Sequence, residues 1–518
     1  MKDRQRFSFR RLGLAAAALA AIGLAGARTA GAVACSTAPN VTSVSPDFGP
    51  QTGGLPQVKV LGTGFCSSGL KVWFGANKVS NANVSFVSST EVDVTPPAST
   101  IVGSVTVRVQ QQTSSKTKQS RLLNGYTYTC VGCTVTPVSL QFEGVDTAAQ
   151  TTEPNGVLEP GESTVAIKPT VQNTSGSTED SVTGAITSFT GPQNAASDIV
   201  YHMDDSAADY GSISSGATAD CGSDCYAATI TIGGSGNRPT VNTPSDIDWD
   251  AQMEETPTTT VASVTAAQTP YTWRVHVGGT FTDEPKSDTF YDYVERLVHN
   301  HVTFGTNAFA GLFSPGQHSP RNQMATFIAR AFAAGDANVP ASGTISPAEN
   351  PLVNGSYNCD SGPSLFADVG LGDANFCRYI HYITKLNVTS GCNASVPDYC
   401  PLTNVSRAVM AVFISRALVP GLGDPGVPNS NTGTGPYASR SYDCANGPSP
   451  FLDVPLDSPA GTNPSCKNIG YIWTLGIIDG DCGSCNNTAN FSPNDLVTRG
   501  QMSKFIDNAF NLVIGPAQ

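Results

Sequence analysis

Three arginines, Arg321, Arg407 and Arg499, head three nearly identical strings, RNQMATFIARAF, RAVMAVFISRAL and RGQMSKFIDNAF. A guanidinium is a fixed cation with a planar fork of donors, suited to carboxylates and other anions. Each string carries its Met, two central apolar residues, an Ala and a last large apolar residue at i, i+3, i+4, i+7 and i+8, as in Met502, Phe505, Ile506, Ala509 and Phe510. That is the buried stripe of an amphipathic helix. Thr498 and Ser406 are good N-caps, and Pro320 behind Ser319 suits a first helical position, so every arginine falls in a first turn. A cation there opposes the helix dipole by about 0.3–1 kcal/mol. Three copies of the same unfavourable placement ask for an anionic partner, which first-turn amides would help to hold. The competing role is structural, each arginine reaching Asp283, Asp368 or Asp453 to tie two repeats together.

Other chemistry is sparse. The string TTEPNGVLEPGE, residues 151–162, sets Glu153, Asn155, Gly156, Glu159 and Glu162 at positions 3, 5, 6, 9 and 12 of an EF-like calcium loop, although Thr151 replaces the usual first Asp. The same string reads equally as two Pro/Gly turns with solvated acids. There is no G-x-S-x-G elbow, H-E-x-x-H helix or Walker loop, and the six histidines do not cluster. His299 and His301, two apart on a helix, point to different faces, and His381 reads as packing. Asp246, Asp248 and Asp250 around Trp249 read as a solvated strand face. The expectation is a protein without catalysis and, calcium at 151–162 apart, without a cofactor.

The elements that position the arginines repeat as well. Phe281, Phe366 and Phe451 are evenly spaced, 85 residues apart, and each opens an F-x-D box followed by a shorter amphipathic helix, a loop, an aromatic-x-Pro (Phe313 to Pro315, Tyr399 to Pro401, Phe491 to Pro493) and the arginine-headed helix. A helix pair of this size cannot bury its own face, so the three copies, about 279–335, 364–420 and 449–514, are expected to pack together. VTRGQM and VSRAVM resemble the signature of S-layer homology (SLH) repeats, and the resemblance covers residues 279–518. It implies an all-α, pseudo-threefold bundle that binds a cell-wall-linked anionic polymer through Arg321, Arg407 and Arg499. Gln323, Val409 and Gln501 replace the acidic residue of that signature, which leaves the polymer open.

Upstream, residues 38–130 alternate strand and turn signals, with period-two apolar residues such as Val58, Val60, Val105, Val107 and Val109. Pro46, Gly53, Gly54, Gly62, Phe65, Phe74, Gly75, Pro96, Pro97, Gly125 and Tyr126 resemble the marks of an IPT/TIG domain, which implies an Ig-like sandwich over 35–130. Residues 131–278 read as a second Ig-like β domain, from alternations such as Val165, Ile167, Val171 and Trp273, Val275, Val277.

Residues 1–34 read as an export signal, with a basic start, an apolar run over 12–24 and Ala32-Val33-Ala34. They carry six basic side chains and Asp3, so their removal takes the net charge from −13 to −18, a poor match for nucleic acid or anionic membranes. No later apolar run reaches the ~18 residues of a spanning helix. Fourteen cysteines in an exported chain imply disulfides. Repeat symmetry pairs Cys359 with Cys377 and Cys444 with Cys466 around their boxes, and Cys392 with Cys400 and Cys482 with Cys485 before the arginine helices. Local spacing adds Cys130 with Cys133 and Cys221 with Cys225, leaving Cys35 for Cys66, unless Cys35 is lipidated. The chain thus reads as a secreted cell-envelope protein, two all-β sandwiches carried by a wall-binding bundle. Its rivals are a released or self-assembling protein whose bundle is a protein interface, and a wall-polysaccharide enzyme.

Overall fold

The computed structural model describes residues 38–512 except 51–52, 55–56, 76, 100–102, 113–116, 130–133, 144–156, 193–198, 234–237, 394–396, 420–425, 457–464 and 480–489. The export segment, Cys35, Cys130, Cys133, Cys482, Cys485, Glu153 and Asn155 lie outside the described residues.

Alternation of valines with polar residues builds the first domain. A four-stranded sheet runs in the order Asn40–Ser45, Val58–Thr63, Glu91–Val94, Val84–Ser88. A five-stranded sheet faces it, in the order Phe48–Pro50, Thr117–Thr129, Gly103–Gln112, Lys71–Phe74, Asn77–Lys78. Because side chains alternate faces, Val58, Val60, Val92, Val94, Val107 and Val109 all turn inward. Phe74, Tyr126 and Tyr128 fill the space between the sheets edge to face, with centroids 4.8 and 5.1 Å apart. Gly62 is required where strands 40–45 and 58–63 meet, since a Cβ there would lie 2.0 Å from the Asn40 carbonyl oxygen.

The second domain is two five-stranded antiparallel sheets. One joins Val135–Glu143, Val165–Asn173, Tyr226–Ile232 and Ile199–Asp205, with Thr218–Asp220 added. The other joins Ala207–Ile213, Glu179–Thr190, Ala251–Val261 and Val264–Ala267, with Tyr271–Val275 added. Trp249, Trp273, Tyr226 and Ile167 lie at the centre of their shared core. Inside it, Glu255 is fully buried, its Oε1 accepting from the Tyr210 and Tyr226 hydroxyls at 2.7 Å each and its Oε2 from Trp273 Nε1 at 2.6 Å.

Among the described residues the C-terminal region is built on six α-helices: α1 (Tyr291–His299), α2 (Arg321–Ala333), α3 (Cys377–Lys385), α4 (Arg407–Leu418), α5 (Ser465–Thr474) and α6 (Arg499–Phe510). The apolar stripes read from sequence are buried; Met324, Met410 and Met502 are all at 0% exposure. The region is not purely helical as expected. Residues 342–345 pair with 355–358, and 430–432 with 441–443, so parts of the inter-repeat loops are ordered hairpins. Helix pairing also departs from the simple repeat, because each long helix packs on the short helix of the next copy: α2 on α3, α4 on α5, and α6 back on α1. Closure is completed by main chain. Ser319 N–H donates to Val497 O, Val497 N–H to Val405 O and Val405 N–H to Ser319 O, each at 2.9 Å, a three-peptide ring at the heads of the long helices.

Among the described residues no helix is long and apolar enough to cross a membrane. Disulfides Cys221–Cys225, Cys359–Cys377, Cys392–Cys400 and Cys444–Cys466 form as expected, and Cys66 is also disulfide-bonded. The disulfides are consistent with an extracellular protein.

Candidate functional site

Arg321, Arg407 and Arg499 are the first residues of α2, α4 and α6, behind Pro320, Ser406 and Thr498 at the N-cap positions. Each reaches into the next repeat around the ring. Arg321 Nε donates to Tyr399 O at 2.8 Å, Arg407 Nε to Phe491 O at 2.6 Å and Arg499 Nε to Phe313 O at 2.6 Å. Each guanidinium lies between two aromatic rings: Tyr399 and Phe413 (4.8 and 5.0 Å), Phe491 and Phe505 (4.6 and 5.7 Å), Phe313 and Phe327 (4.5 and 5.4 Å).

In place of the alternative, direct pairing with the F-x-D acids, there is a relay through one residue. Asp283 accepts from the N–H groups of Phe313 and Ser314 (2.8 Å each), Asp368 from those of Tyr399 and Cys400 (2.7 Å each), and Asp453 from those of Phe491 and Ser492 (2.7 Å each). The same aromatic residue thus gives its N–H to the acid of its own repeat and its carbonyl to the arginine of the preceding one. The first-turn amides expected to help hold an anion are taken too. Arg321 N–H donates to Thr403 O, Arg407 N–H to Asp495 O and Arg499 N–H to Gln317 O, at 3.0, 2.8 and 2.8 Å.

Threefold likeness ends at the guanidinium tips. The three arginines are only 8%, 4% and 3% exposed. Arg321 Nη2 bonds Gly391 O at 3.2 Å, whereas Arg499 Nη1 bonds Gln323 Oε1 at 2.6 Å and its Nη2, also buried, has no acceptor among the described residues. Burial pulls Arg499 down to about 10, against the opposing charge of Asp283. A buried guanidinium N–H without an acceptor carries a desolvation cost that nothing among the described residues offsets.

A second polar constellation escapes the sequence reading. Asp248 and Asp250 are not on a solvated face; their side chains are 5% and 6% exposed, and only Asp246 is solvated, where it caps a short turn with Thr243. Asp250 accepts from His276 Nδ1 and His299 Nδ1 at 2.6 Å each and from Arg274 Nε at 2.7 Å. His276 Nε2 meets Glu295 Oε2 at 3.0 Å, and Glu295 is fixed by Thr280 N–H and Oγ1 at 2.9 and 2.6 Å. His301 Nε2 and Arg274 both meet Asp248. His299 and His301 do not face apart, because α1 ends at His299 and His301 takes a left-handed φ of 53°. The paired signals D-x-D at 248–250 and R-x-H at 274–276, both at strand period, were the available clue. Contacts of 2.6 Å are hydrogen-bond lengths, shorter than the ~3 Å that ligands of one ion keep from each other, and Arg274 already supplies a cation. The group is therefore an ion network joining the second sandwich to the first helix. Cys359, Cys377 and His381 also converge, but the cysteines are bonded to each other and His381 stacks on Tyr357 at 4.6 Å. Of the calcium-loop residues, Glu159 and Glu162 converge on Lys286 Nζ at 3.3 and 2.5 Å.

The sheet pairing of the first domain defines an Ig-like β module. Residues 39–130 match the family model of the IPT/TIG domain, and this part of the chain is such a domain. No curated protein matches the chain. Solved structures with similarity include the full extracellular region of plexin A4, at 13% identity over 38% of this chain and 13% of that one, TM-score 0.15. Another is SGBP-B from a complex xyloglucan utilization locus in Bacteroides uniformis, at 13% identity over 39% of this chain and 69% of that one, TM-score 0.15. Likenesses this distant carry no argument about function.

Proposed function

We propose that residues 279–518 are an SLH-type bundle that holds an exported chain non-covalently on a cell-wall-linked anionic polymer. The two β domains project from it as spacers or adhesive modules, and the protein catalyses no reaction. Support comes from the threefold F-x-D and arginine-helix pattern, and above all from one observation: the buried Arg499 Nη2 without an acceptor, beside Gln323 in the seam between repeats three and one. A carboxylate or ketal-type acid on the polymer would complete that fork. Arg321 and Arg407 are read as holding the ring, so one seam differs from the other two.

The test is co-sedimentation of the full chain with purified sacculi, native or stripped of acid-labile polymer, using Arg499→Lys and Gln323→Ala variants with wild-type circular dichroism. Binding that is lost on stripping and weakened at least about tenfold by Arg499→Lys supports the reading. A folded wild type that ignores native sacculi removes it; ordered oligomers in that case would favour a self-assembling protein.

A further inference from the structure

Repeat one departs from its sisters at the residue after the F-x-D box. Val369 and Val454 follow Asp368 and Asp453 and lie in the core at 4% and 2% exposure. Repeat one has Glu284 there, 1% exposed, and neither of its carboxylate oxygens meets a donor among the described residues. Within hydrogen-bonding reach lies a second acid, the half-buried Asp288. Two ionised carboxylates cannot bond to each other, because both only accept. One proton between them supplies the donor and removes the repulsion. Asp283 on the same loop and Glu295 on α1 add charge of the same sign. The cations around them are engaged elsewhere: Lys286 with Glu159 and Glu162, His276 with Glu295 and Asp250, and Arg499 on α6 with Phe313 O and Gln323. Burial first, and the neighbouring acids after it, push the Glu284 carboxyl up to about 8.

The acid pair touches the seam between repeats three and one on both sides. Asp288 Oδ1 accepts from Phe290 N–H at 2.8 Å, and Phe290 is the N-cap of α1. The Phe290 ring lies against α6 at Gly500, where a Cβ would stand 2.4 Å from Phe290 Cδ2; repeats one and two carry Asn322 and Ala408 at that position. Before Glu284, Asp283 accepts from Phe313 N–H, and the Phe313 carbonyl accepts from Arg499 Nε. Glu284 therefore sits between the two contacts that bring the head of α6 onto repeat one. We propose that Glu284 and Asp288 share one proton, and that this proton latches the seam between repeats three and one, holding it shut while bound and loosening it on release. Once both acids are ionised, repulsion and burial are relieved by moving Glu284 toward water, which draws the 283–290 loop and both contacts with it. Because the folded value of about 8 lies above the ordinary 4.5, the stabilisation is fully present below pH 4.5 and is lost as pH rises through 8. The sister boxes, with valine at this place and bracketed by Cys359–Cys377 and Cys444–Cys466, carry no such dependence.

Urea unfolding of the full chain is followed from pH 4.5 to 9 for wild type, Glu284→Gln, Glu284→Val and Asp288→Asn, with hydrogen exchange of the helices in parallel. Variants are compared with wild type at the same pH, so that other titrating groups cancel. Relative to Glu284→Gln, the wild-type folding constant is expected to fall by about tenfold per pH unit between 4.5 and 8 and to run parallel above 8. Asp288→Asn, whose amide is a permanent donor to Glu284, should flatten that slope. Amides of α1 and of the first two turns of α6 are expected to exchange at least about tenfold faster in wild type than in Glu284→Val at pH 8.5, and within about twofold at pH 5. A wild-type curve parallel to that of Glu284→Gln from pH 4.5 to 8 overturns the proposal. So does exchange that quickens equally in α3 and α4, which would place the proton's effect on the whole bundle instead of the seam. Should Glu284→Val fold poorly, Glu284→Gln serves for the exchange as well. Polymer binding is not part of either readout, so this idea and the wall-anchor reading can fail separately.

Discussion

His276 shows how a single buried side chain can fix the pH range of a junction. Burial works to lower its pKa, but Asp250 and Glu295 on either side overcome that and hold it at about 10. The folded value lies above the ordinary ~6.5, so its contribution is fully present below pH 6.5 and is lost as pH rises through 10. Stability from urea unfolding is therefore expected to decline between pH 7 and 10 in wild type and to decline less in His276→Gln. Glu255 makes the opposite kind of centre, a carboxylate met by three neutral donors. Glu255→Ala orphans Tyr210, Tyr226 and Trp273 together and should cost about 3–5 kcal/mol in denaturant unfolding followed by Trp273 fluorescence. Sequence gave little warning of either residue. Glu255 sits at an inward position of an ordinary alternating strand, where a polar residue looks like an error until its partners, 29 and 45 residues away, are seen. The arginines were legible as a set because they recur, but their partner was not, since a backbone carbonyl leaves no mark in a sequence.

At the level of elements, capping and apolar spacing carried most of the information. Thr498 accepts from Gln501 N–H while the Gln501 side chain returns to Thr498 N–H, a capping box readable from T-x-x-Q. Thr498→Ala should cost about 1 kcal/mol by urea titration, with Thr498→Ser close to neutral. The disulfides followed from repeat symmetry; opening Cys444–Cys466 with a Cys444→Ser, Cys466→Ser double variant should lower stability by roughly 2–4 kcal/mol. What the repeat could not reveal is which helices meet. Spacing makes α1 and α2 neighbours in sequence, yet Arg321 anchors α2 on the second repeat's Tyr399, and Ser415 on α4 bonds Asn468 on α5 at 2.5 Å. Non-local geometry of this sort depends on loop paths, which composition leaves open.

Across the whole molecule, Arg121 links the IPT/TIG domain to the helices. Its guanidinium lies 3.8 Å over Phe332 and 5.8 Å from Phe510, and donates to the Phe332 carbonyl in the last turn of α2, where a cation complements the helix dipole. Burial pulls it down to about 9. Arg121→Ala is expected to leave each domain folded while increasing the radius of gyration in small-angle scattering. The ring of Ser319, Val405 and Val497 reaches further than stability. Its last member belongs to the final repeat, and α1 of the first repeat rests on α6 of the third. A ribosome or an export channel delivers the amino-terminal end first, so the two sandwiches can form as they emerge while α1 waits for a helix some two hundred residues behind it. The bundle is thus a clasp that shuts only on the last turn of the thread, and a chain truncated before residue 499 should emerge with its β domains folded and its helices still open.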